Sequence, residues 1–395
     1  MRLSEGNGEL SVSGPPEQPV SRTRLPPLVL AIVFVVSLFA AYTALAPINH
    51  LDWVTTAQFL RYMDRLQNPY DKALTMDSDL AVYYRQYEYL PYSPWTVFYF
   101  GIFAFATTRL IVALSVAAWI VIILDSGRPV ALLLCLHPTF LMLWASGNID
   151  FLVSGVGLWL LLRQDRGRRL GVAFMLMAIK PQVFPLLLAL ELVRMVWRRD
   201  WPALTTILAI GLISVALYPH WLDWPVSLVR DYLDVAQGEK TAHDVAIGGK
   251  YPFSVFGAWG ILPALGVSVL VLLIMFRRWT EWRLLSVLLG FVWTPYVNPY
   301  SYAVLLLFLR KAPGWRVLLY LGAGIAALPV FFAKWHHYER YGLLLFLLLA
   351  AVLSTTETEH TEEGIARRHR EPIFPPARRL VRRNGERSLV HESAF

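Results

Sequence analysis

The chain has 395 residues, 56% hydrophobic and 16% charged, with a formal net charge of +8 and a mean hydropathy of +0.48. Soluble domains carry about 25% charged residues, so the apolar excess has to face lipid, which excludes a string of water-soluble cores and leaves one polytopic membrane unit with short tails. The basic residues sit in short loops and in the C-terminal tail, which makes them topology signals rather than a nucleic-acid surface, and the single cysteine, Cys135, excludes an intrachain disulfide.

Residues 1–26 are rich in Pro, Ser, Gly and Glu, lack an apolar core like that of a cleaved signal peptide, and read as a disordered tail. The first span follows over Pro27–Pro47. Further apolar runs centre on 106–125, 130–146, 149–163, 170–181, 183–197, 202–219, 255–276, 281–294, 301–310, 316–333 and 342–354. That gives about twelve candidate spans, several shorter than the ~20 residues a straight crossing needs. Residues 355–395 form a second, basic tail.

Arginine placement supplies an independent check, because Lys and Arg near span ends favour the cytoplasmic side. With the N-terminus inside, the inner loops hold Arg128, then Arg163 to Arg169, then Arg198 and Arg199, then Arg277, Arg278 and Arg283, then Arg310, Lys311 and Arg316. Both termini are then cytoplasmic. The polar stretches 48–94, 219–254 and 294–302 fall outside, with the tight turns GNID (147–150) and IKPQ (179–182). Within 48–94, Trp53, Ala57, Leu60 and Met63 recur at helical spacing and predict an amphipathic helix at the membrane interface, followed by an aromatic belt from Tyr83 through Tyr92 to Trp95.

The outward face gathers the residues with chemical potential. Asp52 follows the first span almost without a linker and suits a general base that takes the proton of an attacking hydroxyl; the structural alternative is a helix cap. Lys180 lies in AIKPQVFP, where Pro181 and Pro185 break the helix. A cation there suits a lipid phosphate, with Arg85 or Arg230 adding bidentate contacts; the alternative is a lysine snorkelling to the interface. Asn148, Asp150, Asn298 and Tyr300, in GNID and TPYVNPYSY, suit sugar hydroxyls or simply close hairpins. His220 and the adjacent His336 and His337 complete the set, the last two pointing about 100° apart on a helix and so unfit to share one metal. Asp77 and Asp79 form an Asp-x-Asp pair whose plainer reading is two solvated carboxylates.

In order, these pieces resemble the integral-membrane glycosyltransferases of the GT-C superfamily, closest to glycosyltransferase family 87, the polyprenyl-phosphate-mannose-dependent mannosyltransferases. The residues that carry the likeness are Asp52-Trp53, NPYD at 68–71, YLPYSP at 89–94, GNID at 147–150, RRLGVAFMLMAIKPQVFPLLLAL at 168–190 and VNPY at 297–300, over roughly 27–310. The resemblance implies an all-α GT-C fold with a catalytic domain over 27–354 in the plasma membrane and its active site on the outer face. It implies inverting transfer of a sugar, mannose in the family, from a polyprenyl-phosphate donor to a glycolipid or glycan hydroxyl. Asp52 would be the base, with no nucleotide sugar, no cofactor and no divalent metal. Asn148, Asp150 and Gln182 depart from the family pattern around the implied donor pocket. The competing reading is a transporter or flippase of lipid-linked envelope precursors, which twelve spans would suit but which needs a midplane site.

Overall fold

Prolines and short polar turns cut the apolar runs into helices whose ends are held by named side chains. The computed structural model describes residues 25–44, 51–71, 92–125, 128–146, 151–218, 220–227, 229, 261–275, 282–293 and 299–329. Every regular element among them is helical, and no strand occurs. The α-helices with described bounds are α1 (Pro27–Ala44), α2 (Leu51–Asp64), α3 (Thr96–Phe100), α4 (Thr108–Leu124), α5 (Pro138–Ser146), α6 (Gly157–Arg163), α7 (Arg168–Met177), α8 (Pro185–Trp197), α9 (Trp201–Leu217), α10 (Ile261–Met275), α11 (Trp282–Val292), α12 (Leu306–Leu309) and α13 (Gly314–Ala326), and residues 223–227 are helical as well. Tighter 3₁₀ stretches cover Gly101–Phe105, Pro129–Leu136, Pro181–Val183 and Pro299–Leu305, and a π-helical stretch covers Phe151–Val156.

Among the described residues one helix, α1, is long and apolar enough to cross a bilayer alone, and almost none of it is buried against the rest of the protein. The other apolar runs expected as spans reappear as shorter helices or as broken pairs. The reason is local chemistry: proline removes a backbone donor and pushes the residue before it out of the helical region. The run 130–146 accordingly splits at His137, which takes an extended conformation (φ −65°, ψ 135°) before Pro138. The run 170–181 stops at Met177, and Pro181 and Pro185 start new turns. The segment 342–354 lies outside the described residues. A helical stretch over 96–105, absent from the sequence reading, lies antiparallel beside α7, with Trp95 Nε1 donating to the Met175 carbonyl at 3.0 Å and Tyr99 Oη to the Val172 carbonyl at 2.9 Å.

Helix α1 packs along α4, α7 between α6 and α9, α8 against α11, and α13 along Pro129–Leu136. Arg109, in the first turn of α4, donates to the Tyr42 and Thr43 carbonyls and covers the Tyr42 ring at 4.4 Å, satisfying carbonyls that the end of α1 leaves open. Gly171 lets α7 touch α9: a Cβ there would meet the Ala203 carbonyl. Trp119, Phe184, Phe291, Tyr302 and Tyr320 are fully buried in the core. In contrast α9 and α10 carry no charged residue, and Leu208, Leu212, Leu262 and Leu273 on them are exposed.

One end of the bundle is electrostatic. Glu191, fully buried on α8, accepts from Arg194 Nε at 2.9 Å and from Arg283 Nε of α11 at 2.6 Å, while Arg283 Nη2 donates to the Gln164 carbonyl at 2.9 Å. Asp200 caps α9 and also accepts from the Gly167 amide at 2.9 Å, and Arg163 pairs with Asp125 at 2.8 Å. The described parts of the loops expected on the inner side thus meet at one end of the molecule.

Removing one partner of a buried ion pair strands the other. Glu191→Gln should therefore destabilise the purified protein by about 3–5 kcal/mol, read as a lower midpoint of thermal unfolding. Exposed Arg199→Gln should leave the midpoint unchanged.

Candidate functional site

Helix α2 is the first element of the site. Its buried stripe is Thr56, Phe59, Leu60 and Met63, packed against residues 96–105, and Arg61 Nε donates to the Ala104 carbonyl at 2.8 Å. The expected helix is present, and its stripe agrees with expectation at Leu60 and Met63, runs through Thr56 and Phe59, and leaves Ala57 half-buried, while Trp53 lies among the residues whose side chains are outside the described set. Asp52 is the second residue of this helix. By register it stands one turn before Thr56. The side chains of residues 51–55 lie outside the described set.

Tyr92 is the node. Thr56 Oγ1 donates to its hydroxyl at 2.9 Å, and Tyr70 Oη donates to its carbonyl at 2.6 Å. Phe59 packs on both rings, with centroids 5.4 Å from Tyr92 and 6.0 Å from Tyr70. The aromatic belt expected here is corrected at Tyr92, which is 1% exposed: its hydroxyl has a protein partner, so the ring packs inward instead of lying at a lipid headgroup. Asn68 closes the NPYD turn by accepting from the Tyr70 amide at 3.0 Å, and its Nδ2 donates to Asp223 Oδ2 at 2.8 Å. His220 Nδ1 lies 3.6 Å from the same carboxylate, at an exposed edge.

Ser93, the residue after Tyr92, donates its amide to the Ile179 carbonyl at 3.3 Å, which sets Tyr70 of NPYD and the 92–94 end of YLPYSP beside the broken end of α7. Lys180 follows directly. It precedes the 3₁₀ turn Pro181–Val183 and is 7% exposed, so its ammonium-bearing chain is enclosed by protein and does not snorkel into water. Its amide donates to the Met177 carbonyl at 3.2 Å. A lysine near a helix C-terminus sits in a favourable field.

A second group of segments meets beyond this one. Helix α5 and the π-helical stretch, which flank GNID, both pack against Pro299–Leu305, which begins with the Pro299 and Tyr300 of VNPY. The two groups are joined by an aromatic ladder, Phe184 to Phe291 at 6.0 Å and Phe291 to Tyr302 at 5.3 Å. Arg85, Arg230, Asn148, Asp150, Asn298, His336 and His337 lie outside the described residues, as do Asp77 and Asp79. Tyr300 is placed by its backbone only, in the 3₁₀ stretch.

No family model, curated protein or solved structure matches the chain.

Sequence reasoning passed over His137. It is fully buried, stacks on Tyr320 at 4.8 Å, and its Nδ1 lies 2.8 Å from Thr139 Oγ1 and accepts the Thr139 amide at 3.3 Å. That leaves the proton on Nε2, which has no well-formed hydrogen bond and faces the backbone of α13 at Gly324, with the Tyr320 carbonyl as its electrostatic neighbour. Only a residue without a side chain admits the ring there. The sequence signal was LHPT, a histidine two residues before a threonine. Among the described residues no three His, Cys, Asp or Glu side chains gather as a cation site.

Tyr92→Phe takes away the acceptor of the Thr56 hydroxyl and should cost roughly 1–2 kcal/mol. A double-mutant cycle with Thr56→Val should show coupling of at least about 0.5 kcal/mol, whereas Tyr92→Phe with Arg199→Gln should be additive.

Proposed function

We propose that this protein is a membrane-embedded inverting glycosyltransferase of GT-C type, acting on a polyprenyl-phosphate sugar at the outer membrane face. The observation that carries the reading is the convergence of separate motifs. Asn68, Tyr70, Tyr92, Ser93 and Ile179 are linked by direct hydrogen bonds, so the helix bearing Asp52 and the turn bearing Lys180 belong to one connected structure. Four motifs that are individually weak would have no reason to meet if each only closed its own turn.

The membrane part of the reading is supported by the uncharged helices α9 and α10 with their exposed leucines, by α1, and by the gathering of the arginine-bearing loops at one end. An apolar surface of this extent is a liability in water and neutral in lipid. The run of shorter helices fits a bundle whose remaining spans are broken by proline, since irregular backbone is tolerated at membrane depth where protein encloses it.

In the reaction, the Asp52 carboxylate takes the proton of the acceptor hydroxyl as that oxygen attacks the anomeric carbon of the donor. The bond from that carbon to the phosphate oxygen breaks on the opposite side, and polyprenyl phosphate leaves with the electron pair. Inversion follows from a single displacement. Lys180 stabilises the phosphate as its charge develops, in surroundings where a cation is worth more than in water. Arg85 and Arg230 are assigned to the same phosphate. Asn148, Asp150, Asn298, Tyr300 and the histidines His220, His336 and His337 are assigned to the sugar and acceptor hydroxyls. Mannose is the sugar we assign to the donor.

Membranes incubated with radiolabelled polyprenyl-phosphate mannose should transfer label into an extractable glycolipid or glycan. Asp52→Asn should lower kcat by about 10²–10⁴ while leaving donor binding intact. Lys180→Met should weaken donor binding and slow transfer together. Absence of transfer from any polyprenyl-phosphate sugar by the wild-type chain would sink the proposal, as would transport of the donor across vesicles without product.

A further inference from the structure

We infer that the end of the molecule opposite Lys180 binds a phosphate group, that of an anionic phospholipid, between the C-terminal ends of α4 and α6 and the turn from α12 to α13. The inference rests on the membrane reading above and is independent of sugar transfer.

The first observation is Arg310. It ends α12 at 5% exposure, and its Nη1 is buried without a hydrogen-bond partner. A guanidinium carries five N–H donors and stays charged, and an enclosed charge without an anion is costly. The anion within electrostatic reach is Asp125, and it is already engaged: Arg163 Nη1 holds Asp125 Oδ2 at 2.8 Å, and Arg163 in turn acts on Arg310 as a like charge. Among the described residues the Asp125 carboxylate is thus in contact with Arg163 alone, and Arg310 has no carboxylate at contact distance.

The second observation is how the chain surrounds this pair. Gly314 abuts Val130, so the segment bearing Arg128 borders the turn bearing Arg310, Lys311 and Arg316. Arg163 is held in place by the Trp159 ring at 4.8 Å, and Arg316, itself buried, by the Trp315 ring at 5.2 Å. Preset guanidinium planes suit a phosphate, which offers several acceptor oxygens to their fork of donors. Arg163 is 29% exposed and Asp125 15%, so this group opens toward the surface at their edge. In a bilayer that edge lies at the depth of the cytoplasmic headgroups, where anionic lipids are concentrated.

The test uses the full chain in nanodiscs of phosphatidylcholine doped with phosphatidylglycerol, followed by native mass spectrometry of co-purified lipid. The wild-type protein should retain phosphatidylglycerol selectively, and Arg310→Gln should reduce that retention about tenfold. Should Arg310→Gln not fold, the more exposed Arg163→Gln should show the same loss, and Asp125→Asn, which removes the competing carboxylate, should increase retention. Equal retention by the wild type and by folded Arg310→Gln or Arg163→Gln overturns the inference. Inorganic phosphate that stabilises the protein in phosphatidylcholine alone, and displaces phosphatidylglycerol, overturns the lipid assignment in favour of a soluble phosphate. Release of the chain from membranes by alkaline carbonate overturns the membrane reading and this inference with it, whereas an inactive transferase assay leaves the lipid result standing.

Discussion

The buried carboxylate of Glu191 is the constraint around which one end of this molecule is arranged. A single anion receives two guanidinium groups from different helices, and one of those helices then reaches across to the carbonyl of Gln164. Apolar helices slide easily over one another, because their contacts lack direction. Charged hydrogen bonds supply the direction, and in a region removed from water they tolerate little displacement. With that end fixed, α7 and α8 leave it at a set spacing, and the opposite end can hold broken helices and turns without the bundle losing register.

At the opposite end neutral hydrogen bonds predominate. Tyr92 receives Thr56 and Tyr70, and the following amide reaches Ile179. Such bonds are individually weaker, about 1 kcal/mol net, and apart from that of Thr56 they connect turns rather than helix interiors. A rigid basic end and a looser polar end give the molecule a polarity along its length. On the transferase reading that division is useful, since the end that handles a long lipid donor and a bulky acceptor must admit and release both.

The sequence made the all-helical class legible, along with the positions of most helices, because uninterrupted apolar runs and proline breaks act locally. It also placed α2, since Leu60 and Met63 keep helical spacing. It misjudged the stripe of that helix because Thr56 is polar by type yet buried by virtue of Tyr92, a partner 36 residues away. The helical stretch 96–105 was hidden because its run of aromatics continued the pattern of the preceding tyrosines, and Gly101 interrupted the period. Glu191 went unnoticed for a similar reason: within ALELVR nothing distinguishes a carboxylate that faces water from one enclosed by Arg283, which lies 92 positions later. The bond from Asn68 to Asp223 spans 155 positions and has no local trace. For the candidate site, the order of the motifs along the chain was readable, whereas the contacts joining Tyr70, Tyr92, Ser93 and Ile179 were not.

The arginine that closes the end of α1 has a geometric consequence. Arg109 fixes the backbone at Tyr42 and Thr43, and position 52 lies nine residues beyond. An extended chain of that length reaches at most ~30 Å, and α2 takes up its last two residues. The start of α2 is therefore tethered within that reach of the first turn of α4. Position 52 is thereby held from two directions, by the short chain back to α4 and by the packing of Thr56, Phe59, Leu60 and Met63 four and more residues later on the same helix.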